Sequence, residues 1–407
     1  MPRTKNLARN AGFRIRSIVL EFEAEMATFR FDLHSLPPEA ESLRAEVRDF
    51  LAHALRDFPA EKRARTWFGH DEEFTREVAG RGWIGMTWPQ AYGGHEKSFL
   101  ERFVVLEEML AAGAPVAAHW MADRQSGPLL LRFGTEEQKK SILPGICRGE
   151  IYFCIGMSEP DSGSDLASVR SRAEPTASGW RLQGTKLWTS GAATAHYMVG
   201  LFRSGRDTER QAGLSQFLIP MATPGIEVRP IRDLSGSEHF CEVHFNDVEL
   251  SPDALIGEEG AGWAQAMAEL AYERAGSERY LSCHPLMEEL ARELGPTPDT
   301  RATVAMGRQI AWLSTMRTMS TSVASLLAAG ENPELEAAVV KDVGAVFEQD
   351  QPGIAQELLP LPPSRGPEAR VYQKMLAHLV MNAPSFSLRG GTREILRGII
   401  ARGLGLR

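Results

Sequence analysis

Two short stretches carry residue types suited to holding a flat, polar ligand. Met157-Ser158-Glu159-Pro160-Asp161-Ser162-Gly163-Ser164-Asp165 follows an apolar run ending at Gly156. Its Gly, Pro and Ser content makes a sharp loop with many free backbone N–H groups and hydroxyls. Such a loop can hold a heterocycle or a phosphate, and the same composition also makes an ordinary hairpin connection. Further on, Trp188 stands beside Thr189 and Ser190 at the end of a β-rich run. An aromatic next to hydroxyls can stack on a planar cofactor and hydrogen-bond to it. It equally reads as a core Trp followed by a turn. Two Glu-Arg pairs, Glu273-Arg274 and Glu278-Arg279, lie in one helical run. A desolvated Glu can serve as a general base, whereas an exposed helical Glu pairs with a neighbour at i+4. No Ser-His-Asp arrangement, P-loop, HExxH or CxxC occurs, and the ten His are scattered, so no metal site is expected. His196 and His239 read as structural or surface residues.

The elements that must position these residues divide the chain in three. Residues 38 to about 145 read as helices: Leu43, Val47, Phe50, Leu51 and Leu55 recur at three- and four-residue spacing. Residues 150–250 switch to short β-rich runs separated by Gly, Pro, Ser and Asp. With no helices between them, an antiparallel sandwich or barrel is expected rather than βαβ units. Helices return from Gly260, and Gly262–Ser282 reads as one long periodic stretch. Pro-rich breaks fall at 295–300 and 359–370, the second a surface loop. The expected class is α+β, with an N-terminal α-helical domain at 27–149, a central β domain at 150–255 and a C-terminal α-helical domain at 256–407.

Composition narrows the function. The chain has 407 residues, 43% hydrophobic and 24% charged, with a formal net charge of −8. That allows a large core, argues against disorder and gives none of the basic excess a nucleic-acid-binding chain carries. Cys147, Cys154, Cys241 and Cys283 form no disulfide framework, and a reducing cytoplasm fits best. No apolar run is long enough for a membrane span. Residues 1–26 read as a disordered leader, or an upstream start before Met26, and carry no functional weight.

In this order, five blocks resemble the FAD-dependent acyl-CoA dehydrogenase family. They are WPQAYGGHEKSFLERFVVLEEMLAAGAP (88–115), FGTEEQKKSILPGICRGEIYFCIGMSEPDSGSDLASV (133–169), GWRLQGTKLWTSGAATAHYMVGLFRS (179–204), residues 224–263 and PSFSLRGGTREILRGIIARGLGLR (384–407). The resemblance implies the family's fold: an N-terminal helical domain, a central β-barrel or sandwich and a C-terminal four-helix bundle. It implies FAD, with Met157 and Ser158 against the pyrimidine side of the flavin. Trp188, Thr189 and Ser190 would flank the ring. Ser164 would lie near the pantetheine and acyl entry, and Gly391, Thr392 and Glu394 in the C-terminal stretch that reaches the FAD.

The implied reaction is α,β-dehydrogenation of an acyl-CoA thioester: a carboxylate takes the α-proton and the β-hydrogen leaves as hydride. Many members carry the base just before the C-terminal Gly-Thr. Here that position is Gly390, which cannot act as a base. A second branch, similar to isovaleryl- and long-chain-type enzymes, places the base on the first long helix of the C-terminal domain, before an Arg. Here that is Glu273, with Arg274 ordering the site. Glu278 lies five residues on, about 500° around a helix, and is expected to point elsewhere as a structural residue.

The Arg-x-x-Phe-Gly stretch that holds FAD across the interface of homodimeric relatives is replaced by YLSCHPLMEELAREL (280–294). The expected partners are therefore an acyl-CoA substrate, an electron-transfer flavoprotein, and either a second copy in a dimer or tetramer or a non-identical dehydrogenase subunit. Two alternatives stay within the fold: an oxygen-using oxidase or monooxygenase, and a flavin-poor partner subunit of a heteromeric dehydrogenase. Neither nucleic acid nor membrane is expected as a partner.

Overall fold

The computed structural model describes residues 29–32 and 35–406, apart from the side chains of 207–209 and 269–273. The leader at 1–26 lies outside the described residues. Among the described residues no helix is long and apolar enough to cross a membrane.

The N-terminal part is helical. Helix α1 spans Pro38–Ala54, α2 Glu72–Gly80, α3 Phe99–Ala111, α4 Ala117–Met121, α5 Gly127–Phe133 and α6 Glu136–Cys147. Polar side chains fix where they begin. Ser98 and Glu101 form a reciprocal capping box at α3, and Thr135 and Gln138 form one at α6. A π-helical turn, Ala122–Ser126, joins α4 to α5 and is buried throughout. The periodic residues read from the sequence do line the core: Val47, Phe50 and Leu51 pack with Phe74, Trp83 and Met109.

The centre is a curled seven-stranded sheet. Its strands are β1 (Phe153–Gly156), β2 (Arg172–Thr176), β3 (Gly179–Ser190), β4 (Tyr197–Arg203), β5 (Leu214–Pro220), β6 (Ile226–Ile231) and β7 (Phe240–Leu250). The path runs β1-β4-β2-β3-β7-β6, with β5 on β4. Antiparallel pairing dominates, but β1 pairs β4 in parallel, placing Phe153 opposite Tyr197. The β3–β7 ladder slips between Lys186 and Thr189. Trp188 sits in that bulge with φ +59°, a left-handed backbone that costs a bulky side chain energy.

The C-terminal part is helical again: α7 Gly262–Glu273, α8 His284–Leu294, α9 Thr300–Ala328, α10 Glu334–Leu358, α11 Val371–Asn382 and α12 Arg393–Gly403. The segment at 359–370 is the connection between α10 and α11. Gln138 in α6 donates to the carbonyls of Asp253 and Leu255 at 2.7 and 3.1 Å, tying the first helices to the exit from the sheet.

The long periodic stretch beginning at Gly262 does not form one helix. α7 stops at Glu273, Gly276 is extended (φ −71°, ψ 167°), and a single 3-10 turn follows at Ser277–Arg279. Apolar spacing hides this break, because Met267 and Leu281, fourteen residues or about four turns apart, keep the helical period while Gly276 removes helix propensity. The Glu278 side chain folds back over Gly276 and occupies the place a Cβ would need.

Candidate active site

The loop after β1 is held from below by a buried ion pair. Lys186 Nζ on β3 donates to Glu159 Oε1 at 2.7 Å and to the Met157 carbonyl at 3.3 Å. The backbone amides of Arg170 and Ser171 also donate to Glu159, at 2.7 and 3.0 Å. Burial pushes the Glu159 carboxyl up, but Lys186 and these amides outweigh it and hold it below the usual range. Burial brings the Lys186 ammonium down to about 8, against the pull of Glu159. Neither residue is an expected ligand contact, yet together they set the loop. Their signal in the sequence was adjacency alone: Glu159 follows Ser158, and Lys186 precedes Trp188.

The two ligand-suited stretches meet. The Leu187 amide donates to the Ser158 carbonyl at 2.8 Å, so Met157 and Ser158 run beside the bulge that carries Trp188. The Trp188 ring is 55% exposed and meets Phe240 edge-on at 5.9 Å. The neighbouring Thr189 is 1% exposed, and its hydroxyl has no hydrogen-bond partner among the described residues. Ser190 is half-buried and Ser164 lies exposed on the loop. A large exposed aromatic beside an unsatisfied buried hydroxyl suits a flat polar ring.

α7 begins against this loop. Trp263 in its first turn packs with Met157 around Leu166, Val169, Leu201 and Leu214. Arg274 follows about three turns later, on the same face as Trp263. Arg274 is 2% exposed, donates from Nε to the Gly390 carbonyl at 3.4 Å and stands 3.7 Å from Glu334. Glu273 is the last residue of α7, and its side chain lies outside the described residues. The helix end carrying Glu273 and the Gly390 segment are therefore brought together through Arg274.

Gly390 and Gly391 adopt φ +64° and +98°, a backbone that favours glycine. Thr392 then caps α12, its hydroxyl accepting from the Ile395 amide at 3.5 Å. Glu394 is exposed in the first turn. Its own backbone N–H and the Thr392 hydroxyl hold its carboxyl below the usual range.

Behind this segment lies a buried charged group that sequence reasoning missed. Arg389 lies 4.3 Å over the Trp67 ring and 4.3 Å over Phe386, and stands 3.5 Å from Glu348. Burial raises the Glu348 carboxyl above its usual range despite Arg389. Arg124, on the π-helical turn, pairs with Glu278 and lies 5.0 Å over Trp120. Glu278 is structural in that sense, a buried partner of Arg124. Arg124 and Glu278 are far apart in the chain, and no local pattern joins them.

Known proteins resemble this chain over most of its length. Residues 37–150 match the acyl-CoA dehydrogenase N-terminal domain, and residues 154–248 the acyl-CoA dehydrogenase middle domain. Acyl-CoA dehydrogenase IpdE1 of Mycobacterium tuberculosis is 32% identical over 385 residues, covering 90% of this chain and 98% of its own. The chain belongs to the acyl-CoA dehydrogenase family. Acyl-CoA dehydrogenase FadE34 of the same organism is 31% identical over 332 residues, 80% of this chain and 45% of its own.

Solved structures superpose on this acyl-CoA dehydrogenase along nearly its whole length. The Tcur3481–Tcur3483 steroid ACAD has a TM-score of 0.81 at 28% identity, covering 92% of this chain and 98% of its own. The ChsE4–ChsE5 complex from Mycobacterium tuberculosis has a TM-score of 0.79 at 25% identity, covering 91% and 98%. The three-part α+β fold is thus the fold of the family. Among the described residues no group of His, Cys, Asp and Glu could hold a metal ion.

Proposed function

We propose that this dehydrogenase removes the α-proton of an acyl-CoA thioester with Glu273, while the β-hydrogen leaves as hydride. The observation that carries the reading is the contact of Arg274 with the Gly390 carbonyl. It sets the end of the Glu273 helix against the one other place where the family carries its base, and that place has no side chain. Bound FAD supplies the hydride acceptor. Met157, Ser158, Trp188, Thr189 and Ser190 would hold its ring, and Gly391, Thr392 and Glu394 would reach it from the C-terminal segment. The unsatisfied Thr189 hydroxyl and the exposed Trp188 ring support that placement. Ser164, on the exposed loop, suits the pantetheine arm.

Glu273 works as a base if water is kept from it, because desolvation raises a carboxyl toward the pH at which it operates. Arg274 positions it by fixing the helix end to Gly390. The thioester carbonyl must also be polarised by hydrogen bonds, since its α-carbon is otherwise too weakly acidic.

Electrons would pass to an electron-transfer flavoprotein, and the assembly would be oligomeric. A heteromer with a second dehydrogenase subunit is the favoured form. No Arg-x-x-Phe-Gly stretch follows the helix that carries Glu273, α8 stands in its place, and two of the similar structures are two-protein assemblies. The test is anaerobic flavin bleaching by acyl-CoAs, with Glu273→Gln as the control variant.

A further inference from the structure

Half of α9 is left uncovered. Its C-terminal half lies in the core, with Met316, Ser320, Val323 and Leu326 buried. From Thr303 to Thr315 no residue is buried, although the stretch makes about three and a half turns of helix. Met306 and Leu313 lean on the body from one side. The opposite side carries Val304, Arg308, Ala311 and Thr315, flanked by Ile310 and Trp312. Val304, Ile310 and Trp312 stay 49%, 63% and 48% exposed. Single exposed apolar residues are ordinary, but three large ones so close together on one helix mark an interaction surface.

The charge on this helix indicates what covers it. Thr300–Ala328 holds Arg301, Arg308 and Arg317 and no Asp or Glu, in a chain whose net charge is −8. Arg317 is paired with Glu107 at 2.7 Å, and Arg301 donates to the Glu357 carbonyl. Asp299, just before the helix, is taken up in capping it, accepting from the Ala302 amide at 2.7 Å. Arg308 has neither a hydrogen bond nor an ion pair among the described residues, and it stands in the middle of the uncovered stretch. A second copy of the chain fits this face badly. In a two-fold contact centred here the patch meets itself, and Arg308 would face its own counterpart among apolar side chains. Like charges brought together in that way oppose association. A partner of different sequence, with carboxylates set among apolar side chains, answers both features.

We propose that residues 301–315 of α9 dock the non-identical dehydrogenase subunit, and that this partner sets an Asp or Glu opposite Arg308 within an apolar strip. The proposal rests on the heteromeric reading above and adds where the second subunit sits and what it presents.

The test co-expresses the full chain with each other acyl-CoA dehydrogenase chain of its own genome, one at a time. Light scattering after gel filtration weighs the products, and analytical ultracentrifugation gives the affinities. One chain should form a complex of defined mass. Ile310→Asp should weaken it at least ~30-fold, the scale of an interface hot spot. Arg308→Glu should weaken it at least ~10-fold at low salt and less at high salt. Both side chains are exposed, so neither substitution should move the melting temperature of the chain alone. Arg308→Lys puts an amine at the contact, and a carbodiimide should then join it to an Asp or Glu of the partner, mapped by mass spectrometry. Self-association of the chain that Ile310→Asp abolishes overturns the proposal in favour of a second copy. A complex that neither Ile310→Asp nor Arg308→Glu weakens overturns this face and leaves the heteromer standing. A complex that needs Ile310, tolerates Arg308→Glu and gives no carbodiimide link overturns the acidic partner. No complex with any chain sinks the heteromeric reading and the proposal with it.

Discussion

Arg274 Nε donates to the carbonyl of Gly390 at 3.4 Å, joining two segments that lie 116 residues apart. One ends the helix that carries Glu273, and the other is the glycine pair leading into α12. Removing this buried guanidinium leaves the carbonyl without it and frees the glycine segment. Arg274→Ala should cost about 1.5–3 kcal/mol of stability, the range for a hydrogen bond to a charged group. Bleaching by substrate should slow in step. A thermal melt and a stopped-flow trace check the two effects, and an unchanged rate would show that the contact does not position the base.

Trp188 is the stacking prediction. Its backbone strain and exposure serve no core, so truncating it should cost the apo-protein little. Trp188→Ala should weaken flavin retention by roughly 0.5–1.5 kcal/mol, the scale of one aromatic stacking contact. The flavin absorption band should shift as well. Equilibrium dialysis and the visible spectrum read both, and an unchanged spectrum would count against the stacking role.

The Lys186–Glu159 pair supports the loop from beneath. Lys186→Met strands a buried carboxylate and should destabilise the fold by roughly 3–5 kcal/mol. Lys186→Met combined with Glu159→Gln should recover part of the loss, since no charge is then left alone. Denaturant melts of the three proteins give the answer, and a neutral single variant would show the pair to be dispensable.

Acid sensitivity should come in part from His119. Burial lowers its imidazole to about 4, against nearby Asp123, and Nδ1 meets the Thr75 hydroxyl at 3.0 Å. The unfolded chain, with His near 6.5, binds the proton more readily than the native one does. Stability therefore rises with pH between about 4 and 6.5 and falls on acidification, by up to roughly 1.4 kcal/mol per pH unit. His119→Phe should flatten the melting temperature over that window. A slope identical to that of the parent protein would assign the effect elsewhere.

What could be read from the sequence was local. The helix–strand–helix order and the Met157–Asp165 loop follow from periodicity and residue type. The break at Gly276 did not, because Met267 and Leu281, about four turns apart, continue the helical period across it. The left-handed bulge at Trp188 depends on how β3 slips against β7, which neither strand reveals alone. The pairs Arg274 with Gly390, Arg124 with Glu278 and Arg389 with Trp67 are long-range, and no local pattern in the sequence joins them.

The most direct test of the account is an anaerobic titration of the flavin-loaded protein and its Glu273→Gln variant with a panel of acyl-CoAs. The parent protein should lose its visible flavin band with at least one of them. The variant should keep its flavin and bleach ~10²–10⁴-fold more slowly, the usual contribution of a positioned general base. Bleaching of the variant at the parent rate would contradict the assignment of Glu273. A flavin band that no acyl-CoA bleaches in the parent would contradict the dehydrogenase reading itself.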